Sequence, residues 1–178
     1  MFPMHQETVY LGTALVCASI GGVTDYRDRR IPNWLTCPSL IAGLVLHLLF
    51  GGWREMATAG LAGLIAGGIF LVFFLAGGMG GGDVKLIAAV CCLSGLSQTA
   101  SILLATSLLG GVFAIVLALV SRQMLQTISN VGSLAAHHGR EGLNPHPDLN
   151  VKNSARLRLP YGIVIAAGTA VTMCRMFT

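Results

Sequence analysis

Hydrophobic residues gather into six blocks along the chain, at 9–24, 35–50, 57–76, 84–96, 99–120 and 159–177, and most of the charge lies between them. Blocks of this kind predict an all-α protein with about six transmembrane helices, since roughly 20 apolar residues cross a hydrocarbon core. The fourth and fifth blocks nearly merge. One helix over 84–120 would extend on the order of 55 Å at 1.5 Å per residue, well beyond a core of about 30 Å. Ser94-Gly95 and Ser97-Gln98-Thr99 offer a break, which leaves the fourth helix short. In the third block, Gly63 and Gly67 form a G-x-x-x-G, the spacing that lets helix backbones approach closely in lipid.

The substantial polar segment is 122–158. Met124, Leu125, Ile128, Val131, Leu134 and Ala135 recur there at helical spacing among polar neighbours, which predicts an amphipathic helix lying on the inner membrane surface. Residues 137–155 are richer in His, Gly, Pro and Asn and read as a loop. His137, His138 and His146 have no acidic or thiol partner at ligand spacing, so a solvated loop is the simpler reading than a metal site. One membrane-embedded domain over 1–178 accommodates all of this.

Composition agrees with the blocks. Only 10% of the residues are charged and 54% are hydrophobic, where a soluble domain carries roughly 25% charge. The five cysteines, Cys17, Cys37, Cys91, Cys92 and Cys174, contain no C-x-x-C pair and read as small apolar filler. Residues 1–8 hold no Lys or Arg, so the first block is expected to be retained rather than removed as a signal. The net charge of +4 is not gathered on a soluble face and predicts no nucleic-acid partner.

Its distribution predicts topology instead. With the N-terminus outside, Arg27, Arg29, Arg30, Lys85, Arg122, Arg140, Lys152, Arg156 and Arg158 fall on the cytoplasmic side. Arg54 and Arg175 fall outside, which accounts for all 11 basic residues. That is a positive-inside pattern.

Among the seven acidic residues, Asp25 and Asp83 directly abut apolar helices on the same predicted face. Ionisable groups at such positions are expensive and point to function. Each also has a plainer role. Asp83 follows Gly77-Gly78-Met79-Gly80-Gly81-Gly82, where an Asp makes a good N-cap. Asp25 stands at a helix C-terminus, which disfavours a carboxylate, and Arg27, Arg29 or Arg30 would serve it in a surface ion pair.

The surrounding residues favour the pair. Asp25-Tyr26-Arg27-Asp28-Arg29-Arg30-Ile31-Pro32-Asn33 resembles the first active-site motif of type IV prepilin peptidases, an Asp, a short basic stretch and Ile-Pro-Asn. Gly80-Gly81-Gly82-Asp83-Val84-Lys85-Leu86 matches their second, G-x-G-D with a trailing Val-Lys-Leu, and Leu159-Pro160-Tyr161-Gly162 is similar to the opening of their last helix. This resemblance implies a bacterial inner-membrane aspartic endopeptidase with Asp25 and Asp83 catalytic. Gly80, Gly82, Lys85, Ile31, Pro32 and Asn33 would support them. Its partners would be prepilin or pseudopilin precursor helices and membrane lipids, and it would cut the basic leader on the cytoplasmic side. Full-length relatives also carry a cysteine-rich domain and N-methylate the product. The layout here resembles the small forms that serve Flp-type (tight-adherence) pili, without an expected methyltransferase activity.

In such a pair two close carboxyls cannot both ionise cheaply. One activates a water, the other donates to the scissile carbonyl, and no cofactor or metal is required. The helix ends would suit Asp83 to the base and Asp25 to the acid. The glycines before Asp83 would let the backbone bring the acids together, while Lys85 would either steady the site or meet lipid phosphate. Presenilin-type proteases share G-x-G-D but place the first Asp within a span. A transporter using the aspartates for proton or ion coupling would place them near the midplane.

Overall fold

The computed structural model of the chain describes residues 3–76, 78–120 and 160–177. The amphipathic helix expected after 122 and the 137–155 loop, with His137, His138 and His146, lie outside the described residues. Those described form five helices and no strand: α1 (Pro3–Asp28), α2 (Asn33–Leu75), α3 (Gly81–Ser94), α4 (Leu96–Val120) and α5 (Tyr161–Met176). By length and composition, three helices can cross a membrane: Gln6–Asp28 within α1, α2 itself, and Leu96–Leu117 within α4. Helix α5 is apolar but shorter.

The second and third apolar blocks both fall within α2. A straight helix of its 43 residues would reach about 65 Å, but α2 folds back on itself. Gly52 takes φ 78° and ψ −171°, a backbone open essentially to glycine alone. A methyl group built on Gly60 would touch Leu44 Cδ2 at 3.5 Å, and one on Gly63 would lie 3.7 Å from Leu40 Cδ2. These partners flank Gly52 almost evenly, so limbs 33–51 and 53–75 run antiparallel, each rising about 30 Å. The expected polar connection is thus compressed to one residue, and Trp53-Arg54-Glu55 already belong to the returning helix.

Helix α3 is the centre of the molecule. Leu86, Ile87, Ala89, Val90, Cys91 and Cys92 are fully buried, with α1 and α2 packed against the helix. Close approach is written in small residues: methyl groups on Gly63 and Gly67 would stand 3.0 Å from the Ala88 carbonyl oxygen and 3.1 Å from Ala88 Cβ. The G-x-x-x-G therefore packs α2 on α3. Because protein surrounds it, α3 is stable at 14 residues, about 21 Å, too short to cross a bilayer unaided. It ends at Gly95 (φ 81°, ψ 170°). Chain direction changes at that residue, and Ser97-Gln98-Thr99, the alternative break, is helical, with the Thr99 hydroxyl donating to the Gly95 carbonyl at 2.8 Å.

His47 locks the Gly95 end of the bundle. Its Nε2 lies 3.3 Å from the Leu93 carbonyl oxygen and its ring stacks on Tyr10 with centroids 3.9 Å apart. The lipid-type surface lies outside this core: Leu64, Leu104, Leu108, Ile115 and Val120 are all exposed. The opposite end brings together the end of α1 and the starts of α2, α3 and α5.

Candidate active site

Helix α1 terminates just beyond Asp25. Arg29 adopts φ 52°, a left-handed C-terminal turn, and its N–H donates to the Asp25 carbonyl at 3.0 Å. Pro32, with φ −76° and ψ 146°, then serves as the N-cap of α2, as its missing N–H and fixed φ allow. The connection is only a few residues long, so Ile31 and Asn33 are tied to the helix that presents Asp25.

Asp83 is not the N-cap of α3. Gly81 and Gly82 are already helical and Gly80 is the N-cap. Glycine has no side chain to cap with, and Asp83, two residues into the helix beyond Gly81, does so by reaching back. Its Oδ2 accepts the Gly80 N–H at 3.1 Å, one half of a capping box. Asp83 as a residue is only 9% exposed. The glycines here serve space rather than unusual torsions, since among the described residues only Gly52 and Gly95 combine glycine with positive φ. A methyl group on Gly82 would lie 3.1 Å from Ile31 Cβ, and one on Gly81 3.4 Å from the Phe74 ring.

The two sequence motifs meet at two points. Ile31, which is buried, packs on Gly82. The Lys85 ammonium donates to Asn33 Oδ1 at 3.0 Å, so Lys85 steadies the junction between motifs. Gly80, Gly82, Lys85, Ile31, Pro32 and Asn33 all lie at this junction.

Asp25 and Asp83 line one cavity of about 930 Å³. Arg29 and Arg30 also line it, as do Phe70 and Phe73 from the returning limb of α2, Gly110 from α4 and Tyr161 from α5. The contact that holds Asp25 is absent from both motifs: its Oδ2 accepts the Gly162 N–H at 2.9 Å. Gly162 lies in the first turn of α5, so Asp25 faces a helix N-terminus as Asp83 does. The difference between the two acids expected from their own helix ends is therefore offset by a third helix. Leu159-Pro160-Tyr161-Gly162 was legible as a helix opening, but nothing local in it marks a partner 137 residues away.

Comparison with known sequences sorts these features. The profile of the type IV leader peptidase family matches residues 12–115, which is more than half of the chain and contains both aspartates. The chain belongs to the type IV leader peptidase family. It is 34% identical over 114 residues to the prepilin leader peptidase/N-methyltransferase of Escherichia coli (strain K12), covering 60% of this chain and 50% of that relative. The chain thus spans about half the length of the curated relative it matches. No solved structure matches. The family match ends within α4, so the contribution of α5 to the cavity comes from the geometry alone.

Proposed function

We propose that this leader peptidase family member is a membrane-embedded aspartic endopeptidase. In this reading it removes the basic leader of prepilin-like precursors at the cytoplasmic face of the bacterial inner membrane. The observation that carries the reading is the shared cavity: acids from the end of one helix and the start of another line the same space. Water bound between them is the nucleophile. The ionised carboxyl accepts a proton from it as it attacks the scissile carbonyl, and the protonated carboxyl donates to that carbonyl oxygen. Collapse of the tetrahedral intermediate breaks the C–N bond as the amine takes a proton from the pair.

Six crossings with the N-terminus outside fit the bundle once α2 counts as two limbs. Arg27, Arg29, Arg30 and Lys85 then sit at the cavity end, while Arg54 and Arg175 sit at the other. Trp34 at the start of the first α2 limb and Trp53 at the start of the returning one are exposed at 67% and 68%, as aromatic anchors at two interfaces would be. The substrate is an apolar helix whose juxtamembrane bond enters the cavity. The whole chain acts as one membrane-embedded unit.

Co-expression with an epitope-tagged prepilin tests this. The wild-type chain is expected to shorten the precursor by its leader, with a new N-terminus found by mass spectrometry, and Asp83→Asn is expected to leave it intact. A precursor that stays full length with inserted wild-type protein removes the proposal.

A further inference from the structure

Resting on the peptidase reading, the geometry points to Tyr161 as a further catalytic residue, whose phenol donates a hydrogen bond to the scissile carbonyl oxygen as it becomes an oxyanion. Tyr161 is the first residue of α5 and the immediate neighbour of Gly162, whose N–H is fixed on Asp25. Its backbone is therefore anchored to one acid. Its side chain reaches away from that anchor toward α4, with its ring edge-to-face on Phe70, centroids 6.2 Å apart at 76°. The hydroxyl arrives over Gly110: a methyl group there would stand 2.8 Å from the oxygen and 3.3 Å from Cζ. Tyr161 lines the cavity together with both acids.

The Phe70 ring and the Gly110 backbone thus hold this side chain in the cavity that both acids line, and no described residue accepts its proton. Tyr161 is half-buried and lines the cavity, which leaves its hydroxyl room for a hydrogen-bond partner there. A substrate carbonyl supplies that partner. The phenol keeps its proton throughout: as water adds, the C=O π electrons move to oxygen, and the Tyr161 O–H and the protonated carboxyl both donate to the resulting negative charge. When the C–N bond breaks, those electrons return to re-form the carbonyl and the phenol is unchanged. The group is held in advance at the place where charge develops, the arrangement that stabilises transition states most effectively. Glycine at 110 is needed to let the hydroxyl reach that place.

The test uses the full chain in phospholipid vesicles with a tagged prepilin. Tyr161→Phe keeps the ring and its contact with Phe70, so the thermal midpoint should not move. Its kcat should fall about 100-fold, the usual effect of losing one such donor, with KM within about twofold. Gly110→Ala should lower kcat in the wild-type background, where a methyl group crowds the hydroxyl. It should do less in the Tyr161→Phe background, where the nearest ring atom is farther away. Wild-type kcat in Tyr161→Phe, or a raised KM with unchanged kcat, overturns the assignment. If Asp83→Asn is inactive while Tyr161→Phe runs at full rate, the peptidase reading stands and the phenol alone is dismissed. If the wild type leaves the prepilin uncut, both are lost.

Discussion

A methyl group at residue 162 would stand 2.9 Å from Cβ of Asp25 and 3.1 Å from the Gly21 carbonyl oxygen. The tightness is reciprocal, because a methyl group on Gly22 would meet the Gly162 carbonyl oxygen at 3.1 Å. Backbone touches backbone where α1 crosses α5, and this crossing sets where the Asp25 carboxyl points. Gly162→Ala must therefore separate the two helices or turn Asp25 away. Overpacking of this kind costs about 1–3 kcal/mol of stability, but displacing a reacting group by about 1 Å costs on the order of 100-fold in rate. The expected outcome is inserted protein with a modestly lower thermal midpoint and leader removal slowed about 100-fold, measured as initial rates in vesicles. At this scale the sequence was informative wherever residues act with their neighbours. Ile31, Pro32 and Asn33 follow Asp25 closely in the chain and the glycines directly precede Asp83, so sequence alone sets them near the acids. Gly162 and Tyr161 did not, because their importance lies in contacts made across the bundle.

Helix lengths and breaks were largely visible in the apolar blocks, the break at Ser94-Gly95 among them, while the connection inside α2 is shorter than the blocks suggested. The reversal in α2 and the break after α3 each occur at one glycine, Gly52 and Gly95, with φ of 78° and 81°. Gly95 is further confined, since a methyl group there would lie 2.9 Å from the His47 ring. The sequence offers several small and polar residues near each break, and only the packing of neighbouring helices selects among them. Gly52→Ala should destabilise the protein by about 1–3 kcal/mol through backbone strain. Gly68, in the returning limb, has nothing within 4 Å of a built methyl group, so Gly68→Ala should be neutral or stabilising by up to about 1 kcal/mol. Thermal midpoints of the two variants in the same detergent check this, and equal losses would contradict the single-residue turn. The short α3 also becomes intelligible here. Composition alone made it a weak span, whereas the structure buries it among longer helices.

Across the whole molecule the two ends differ in character. One gathers the acids, the cavity and the described basic residues Arg27, Arg29, Arg30 and Lys85; the other is closed by His47 against Leu93 and Tyr10. The charge asymmetry was legible because it is carried by residues between blocks. The cavity was not, because Phe70, Phe73, Gly110 and Tyr161 are ordinary members of apolar runs until the fold makes them neighbours. The central claim is that Asp25 and Asp83 act as one unit on one peptide bond, and residues that act as a unit give non-additive losses. Turnover of a tagged prepilin by purified wild type, Asp25→Asn, Asp83→Asn and the double variant measures this directly. Each single variant should lose at least about 1,000-fold, as removal of an essential catalytic group does, and the double variant should be no slower than either. A single variant within about tenfold of wild type, or losses that multiply in the double variant, would contradict the pair.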